Sequence, residues 1–372
     1  MLFRSNSNAN SLIIGGPGTG KSTSMLFKIK KLIDDGVSPE QIVIVCFNPK
    51  STRVFKSLLL KFIGNDAKRV RYATFKDLAT AELNSAGLLE GEFADNSQMR
   101  RILHQAKQET NFKGSIHEAE HIVRKFKSKA KKPQETEDYY ELFKKYQDIL
   151  QLRKWYDRYD CLRQHLITLR NDVTQPVRVK HIFVDNAQDL NQIQLLWLLE
   201  HAISGIKTNI AIDDDQCLFQ RSGALCSKII DTVKDCEVNF EETTLDYSYR
   251  LTHNLKKAAY KVVSMADQRY LKGDLDNVNY NSNIEVKQYN SKKQEIDSLI
   301  SNLKQYFKAN PKSRVAVMTR LDDDTTLPLP TSPHAGFPPR DFSRNIWEMP
   351  GAIIVIDLLE VLLGTSTLSV LK

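Results

Sequence analysis

The chain has 372 residues, with 53 Lys and Arg against 45 Asp and Glu, a formal charge of +8, 41% hydrophobic and 26% charged residues. That composition excludes a disordered chain, and the length predicts two or three domains. The positive excess suits a polyanionic partner, although solvated lysines give the same balance.

Short β-branched runs at 12–16, 42–47, 70–75, 182–185 and 210–212 are separated by helical patterns such as Ser22 to Asp35. The pattern predicts an α/β fold, a buried parallel sheet with helices on both faces. Residues 80–176 are sparse in Gly and Pro and show helical periodicity without a convincing strand, so they are expected to form a helical insertion. This stretch includes RKFKSKAKK at 124–132, six basic residues in nine, a run that by itself reads most simply as a solvated helix face. Beyond Thr243 the pattern predicts a helix at 254–265, a strand at 284–289, a helix at 293–307 and a strand at 314–318, the start of a second α/β domain. Six of the twelve prolines fall between Pro328 and Pro350, where neither a helix nor a central strand can be sustained, and 352–372 could form one apolar helix.

The five cysteines, at 46, 161, 217, 226 and 236, are odd in number and lack CxxC spacing, so they read as reduced thiols. The N-terminal segment has no signal-peptide core, and the apolar stretch from Ala352 to Leu363 is interrupted by Asp357 and Glu360, too short and too charged to span a bilayer. A cytoplasmic protein is expected, or a nuclear one in a eukaryote, with no membrane partner.

Gly15-Gly16-Pro17-Gly18-Thr19-Gly20-Lys21-Ser22 fits GxxxxGK[ST], with a strand before it and a helix after it. Glycines let successive backbone N–H groups converge on phosphate oxygens, and the helix N-terminus adds its dipole. Residues Gly15 to Thr23 are therefore the candidate nucleotide site, with Lys21 on the β- and γ-phosphates and Ser22 on Mg²⁺. Such a site also needs an acidic residue at a neighbouring strand end to hold Mg²⁺ and a group that senses the γ-phosphate. Asp185, closing IFVD, suits the first role, and Gln216, after Asp213-Asp214-Asp215, suits the second.

With CFNPKS at 46–51, ATF at 73–75, YDRYDCL at 156–162, VDNAQDLNQIQ at 184–194, DDDQCLF at 213–219 and LDYSYR at 245–250, the ordered set resembles superfamily 1 DNA helicases of the UvrD/Rep type over roughly residues 11–320. The resemblance implies a P-loop NTPase of RecA-like fold: domain 1A at 1–79 and 177–248, helical subdomain 1B at 80–176, a partial second motor domain 2A at 249–320, and a divergent tail at 321–372. It implies ATP and Mg²⁺ as cofactors and single-stranded DNA as partner. Lys21, Asp185, Gln216 and Arg250 would be the catalytic set, with Ser22 and Asp185 on the metal. Phe47, Asn48, Thr74, Phe75, Phe219 and Arg221 would contact DNA.

Three departures qualify the resemblance. Asn186 stands where the family has Glu, and an amide cannot accept a proton at neutral pH. Asp189 lies three residues further on, but nothing in the spacing requires it to substitute. At Arg221-Ser222-Gly223-Ala224 the family's aromatic–Arg pair is altered, and no HxxKGLE-like or YVAxTRA-like motif follows Met318. The tail could be a truncated or divergent product, or could bind a protein partner. The expected function is an ATP-dependent DNA helicase core. The alternative is a clamp that binds nucleotide and DNA without turnover, and a P-loop kinase is a weaker third reading.

Overall fold

The computed structural model describes residues 8–47, 49–89, 91–130, 133–157, 159–220, 223–266, 269, 270, 272, 276–278 and 281–318. The expected Pro-rich stretch and the helix at 352–372 lie outside the described residues, as do Asn48 and Arg221. The chain divides into two compact units, Met1–Ser282 and Asn283–Lys372.

In chain order the first unit holds β1 (Asn10–Gly15), α1 (Lys21–Asp34), β2 (Ile42–Val45), α2 (Pro49–Ile63), β3 (Arg71–Ala73) and α3 (Phe75–Ser85). Next come β4 (Glu92–Phe93), α4 (Asn96–Glu109), α5 (Ile116–Ser128), α6 (Tyr140–Leu152), β5 (Trp155–Tyr156) and α7 (Asp160–Arg170). The unit closes with β6 (His181–Val184), α8 (Gln192–Ile203), β7 (Lys207–Ile212), α9 (Lys228–Lys234), β8 (Phe240–Leu245), β9 (Tyr247–Thr252), α10 (His253–Val263) and β10 (Asp276–Val278). Within the described residues of the second unit, α11 (Lys292–Ala309) realises the helix expected at 293–307.

Six strands form one sheet in the order β3-β2-β6-β7-β1-β8, parallel at every pairing. Side chains alternate between its faces, and helices cover both. Leu12, Ile14, Val43, Val45, Ile182, Val184, Ile210 and Ile212 share a core with α3, α7 and α8, while Ile13, Ile42, Ile44 and Phe183 pack against Met25, Leu26 and Ile29 of α1 and Leu59 of α2. Each fully buried aliphatic side chain is worth about 1.5–3 kcal/mol relative to exposure. Burial on both faces is why these strands read as unbroken apolar runs.

β8 (FEETTL) was not among the expected strands. It lies at the sheet edge, half buried, and its Glu and Thr residues carry no apolar run; its pairing with β1 over Asn10–Gly15 makes it a strand. The strands expected at 284–289 and 314–318 do not form. Apolar alternation alone cannot make a strand without a ladder: neither segment has a pairing partner among the described residues, and Val286, Val315 and Met318 are exposed.

Helices α4, α5 and α6 enclose a separate core around Ile102, Ala106, Ala119, Val123, Leu142, Tyr146 and Leu150. β4 and β5, two residues each, pair in parallel beside it, in a stretch where no convincing strand was expected. Helices α4 and α5 start on reciprocal caps, Asp95 with Gln98 and Ser115 with Glu118. Helix α7 instead buries Cys161, Leu162 and Leu166 in the sheet's core.

Three of the basic residues at 124–132 are tied up internally, and Lys131 and Lys132 lie outside the described residues. Lys127 is buried between Asp157 (2.6 Å) and Asp160 (2.7 Å), Arg124 pairs with Glu120 at 3.0 Å, and Lys129 pairs with Glu137. The YDRYDCL segment thus supplies counter-ions to α5, and Tyr146 of α6 donates its hydroxyl to Asp157 at 3.2 Å.

The cysteines are not all reduced thiols: Cys217 and Cys226 form a disulfide, leaving Cys46, Cys161 and Cys236 free. Nine residues of separation carry no pairing signal. The chain folds back after Gln216, and Leu225 N–H donates to Leu190 O at 2.9 Å, which brings the two Cα atoms to 5.5 Å.

Candidate nucleotide-binding site

Because all six strands run the same way, their C-terminal ends share one edge, where ligands of open α/β sheets bind. That edge gathers the loop after β1, Asp185 and Asn186 after β6, Asp213 to Gln216 after β7, and Ser248 to Arg250 in β9. They lie far apart in sequence; the sheet order β6-β7-β1-β8 is what makes them neighbours.

The loop turns into α1 through Gly18 and Gly20, both in the left-handed region (φ 74° and 92°). Gly18 is also sterically required, since a Cβ there would lie 2.3 Å from the Arg250 Cβ. Two further bonds latch β9 to the loop: Ser248 Oγ donates to Pro17 O at 2.7 Å, and Tyr249 N–H donates to Gly18 O at 3.0 Å.

Lys21 Nζ donates to Gly15 O (2.9 Å), Gly16 O (2.7 Å) and Asp213 Oδ2 (3.3 Å). Burial lowers its pKa, opposed by the Asp213 carboxylate. Ser22 Oγ donates to Asp185 Oδ2 at 2.5 Å, and burial raises the Asp185 pKa against that bond. Gln216 Nε2 donates to Asp213 Oδ2 at 2.9 Å. Asp213 is thus shared by the loop lysine and the glutamine, a link that reading Gln216 alone from the sequence missed; the Asp-Asp-Asp run before it was the only signal.

A cavity of about 950 Å³ opens at this edge, lined by Gly18 to Ser24, Asn186, Gln216, Tyr249 and Arg250. It continues between Phe27, Lys28 and Lys31 of α1 and Glu241 and Thr243 of β8. Burial brings Lys28 down to about 8. Asn186, in the left-handed region at φ 57°, donates its N–H to Asp185 Oδ1 at 3.0 Å. Asp189 is not among the lining residues; burial moves its carboxyl up to about 6.

The family model for the UvrD/REP helicase N-terminal domain matches residues 3–237. The chain belongs to the UvrD/REP helicase family. It is 24% identical over 288 residues to an ATP-dependent DNA helicase, PcrA, of Staphylococcus aureus, covering 70% of this chain and 39% of that protein. PcrA of Staphylococcus epidermidis is likewise 24% identical, over 287 residues, with the same shares covered. The chain therefore spans about two-fifths of the length of these relatives.

Of the UvrD/REP-type DNA contacts expected here, the structure separates two kinds. Phe75 is 4% exposed, and its ring meets Trp197 edge-on at 5.6 Å, so it belongs to the core and presents no face to a base. The residue that opens α3 faces the sheet, and apolar burial decides its fate. Thr74 caps α3: its Oγ1 accepts Asp77 N–H at 3.2 Å and donates to Asp77 Oδ2 at 2.8 Å. Phe47 is half-buried, 6.1 Å from Phe75, and Phe219 is 51% exposed. No helix among the described residues is long and apolar enough to cross a membrane.

Proposed function

We propose that this UvrD/REP-type chain binds Mg-ATP at the β1–α1 loop, binds single-stranded DNA, and couples ATP hydrolysis to movement along DNA or its unwinding. The observation that carries the reading is the convergence of Lys21, Ser22, Asp185, Gln216 and Arg250 on one cavity edge from four separate chain segments.

The residues present fit the cofactor. Ser22 and Asp185 bring two hard oxygen donors to one place, the donor type Mg²⁺ takes, and Ser22 lies in the first turn of α1, whose residues line the cavity. The bound ion would neutralise phosphate charge. Lys21 would exchange the Gly15, Gly16 and Asp213 oxygens for phosphate oxygens, which its lowered pKa favours little and its charge favours strongly. Gln216 and Arg250 would meet the γ-phosphate, and Gln216 would report its presence to Phe219, three residues on. Exposed Phe219 and half-buried Phe47 would supply stacking worth about 1–3 kcal/mol per base.

Asn186 favours a second reading, a clamp that holds nucleotide without hydrolysing it, because it lines the cavity with an amide. One experiment separates the two: steady-state ATP hydrolysis with and without single-stranded DNA, with nucleotide affinity measured on the same sample. DNA-stimulated turnover supports the motor; tight binding without turnover supports the clamp; no magnesium-dependent ATP affinity sinks both.

A further inference from the structure

Next to the nucleotide site, three consecutive carboxylates, Asp213, Asp214 and Asp215, place oxygens within 4.8 Å of one another, a spacing that repels unless a cation intervenes. The cation is a side chain. Lys272 Nζ, with its side chain 2% exposed, lies 2.8 Å from Asp215 Oδ2 and 3.4 Å from Asp213 Oδ1, and also pairs with Asp214. The same segment closes two further contacts: Arg269 forks onto Asp215 at 2.9 and 3.0 Å, and Tyr270 N–H donates to Asp214 Oδ2 at 2.6 Å.

The two oxygens of Asp213 face opposite ways. Oδ2 accepts from Lys21 and from Gln216 Nε2; Oδ1 faces Lys272. Phosphate in the loop would compete with Asp213 for the Lys21 ammonium, whose three N–H donors already serve Gly15 O, Gly16 O and Asp213 Oδ2. The buried carboxylate then keeps a single cation partner, Lys272. Without it, Asp213 would be an unpaired buried charge and a poor anchor for the Gln216 amide.

We propose that Lys272 is a positioning residue for γ-phosphate recognition: it holds Asp213 in place when Lys21 moves to the nucleotide, and so keeps Gln216 aimed into the cavity. Lys272 does not line that cavity; it acts through Asp213. The inference rests on the nucleotide-binding reading above.

The test compares affinities for ADP and for a non-hydrolysable ATP analogue, each with Mg²⁺, so that it does not depend on turnover. Lys272→Met alone could fail to fold, because it takes from Asp214 its cation and from Asp213 and Asp215 one of two. The decisive variant is therefore Lys272→Met with Asp214→Asn, which removes one charge of each sign and keeps an acceptor for Tyr270 N–H. The wild-type preference for the analogue over ADP, on the order of tenfold for a coupled site, is expected to collapse towards one while ADP affinity holds within about twofold. Lys272→Arg, which restores the charge, is expected to recover much of the preference. A purely structural role would lower both affinities together, and an unchanged preference in the double variant also overturns the proposal. A wild-type chain that binds both ligands equally overturns the sensing role alone. A wild-type chain that binds neither overturns the nucleotide reading and this inference with it.

Discussion

Ser22 Oγ and Asp185 Oδ2 are joined by a 2.5 Å hydrogen bond across 163 residues, tying the first turn of α1 to the end of β6. In the Mg-ATP reading proposed above, both oxygens would serve the ion. Asp185→Asn should therefore lower the magnesium-dependent gain in ATP affinity by about 10–100-fold, the usual loss when a partner in a metal's outer shell is removed. Titration with and without Mg²⁺ reads this directly, and an undiminished magnesium effect would place the ion elsewhere.

Asn186→Glu restores a carboxylate beside the cavity. Hydrolysis should rise by roughly 10²-fold if the only missing element is a group that orients water, with ATP affinity nearly unchanged. Single-turnover measurements separate the two quantities. A rate that stays flat would assign the deficit to charge stabilisation.

Lys127 is buried between Asp157 and Asp160. Replacing it with Met strands both carboxylates, and urea denaturation should show a loss of about 3–5 kcal/mol. The DNA affinity proposed above should be unaffected in the folded fraction, because the ammonium is buried between the two carboxylates. A large loss of DNA binding with unchanged stability would contradict this placement.

His201 links α8 to the segment before β6. Its Nε2 accepts Val177 N–H at 3.2 Å, so Nδ1 carries the proton and donates to Trp197 O at 2.7 Å. Burial holds its pKa down at about 3, against about 6.5 in an unfolded chain. The neutral ring therefore contributes stability that is fully present above about 6.5 and lost as pH falls towards 3. The stability advantage of wild type over His201→Gln should shrink on acidification from pH 7 to 4, at up to about 1.4 kcal/mol per pH unit. A constant difference across that range would show that the ring's charge state is not what matters.

Thiol titration in denaturant should find three reactive cysteines before reduction and five after it. Cys217→Ser should cost about 2–3 kcal/mol if the bond acts by constraining the unfolded loop. Five thiols without reductant would show the pair to be open.

Residues 12–16, 42–47, 182–185 and 210–212 announced themselves as buried strands because both faces of a parallel sheet are apolar, and the GxxxxGK[ST] spacing reports a backbone geometry that few other sequences need. Local chemistry was enough for these, and it also placed Lys21, Ser22 and Asp185 as candidates. β8 escaped notice because an edge strand owes its existence to its neighbour, and the segments at 284–289 and 314–318 misled for the converse reason, apolar alternation with no ladder. Phe75 could stand equally for a base contact or a core ring until α8 supplied Trp197 to pack against it. The same holds for charge. The sequence shows that Lys127, Lys272 and the three aspartates are ionisable, but whether each is solvated, paired or buried depends on which side chains the fold carries to within about 3 Å. The partnership of Lys21, Asp213 and Lys272 joins residues from the phosphate loop, the end of β7 and the segment after α10, so only the tertiary structure could decide it.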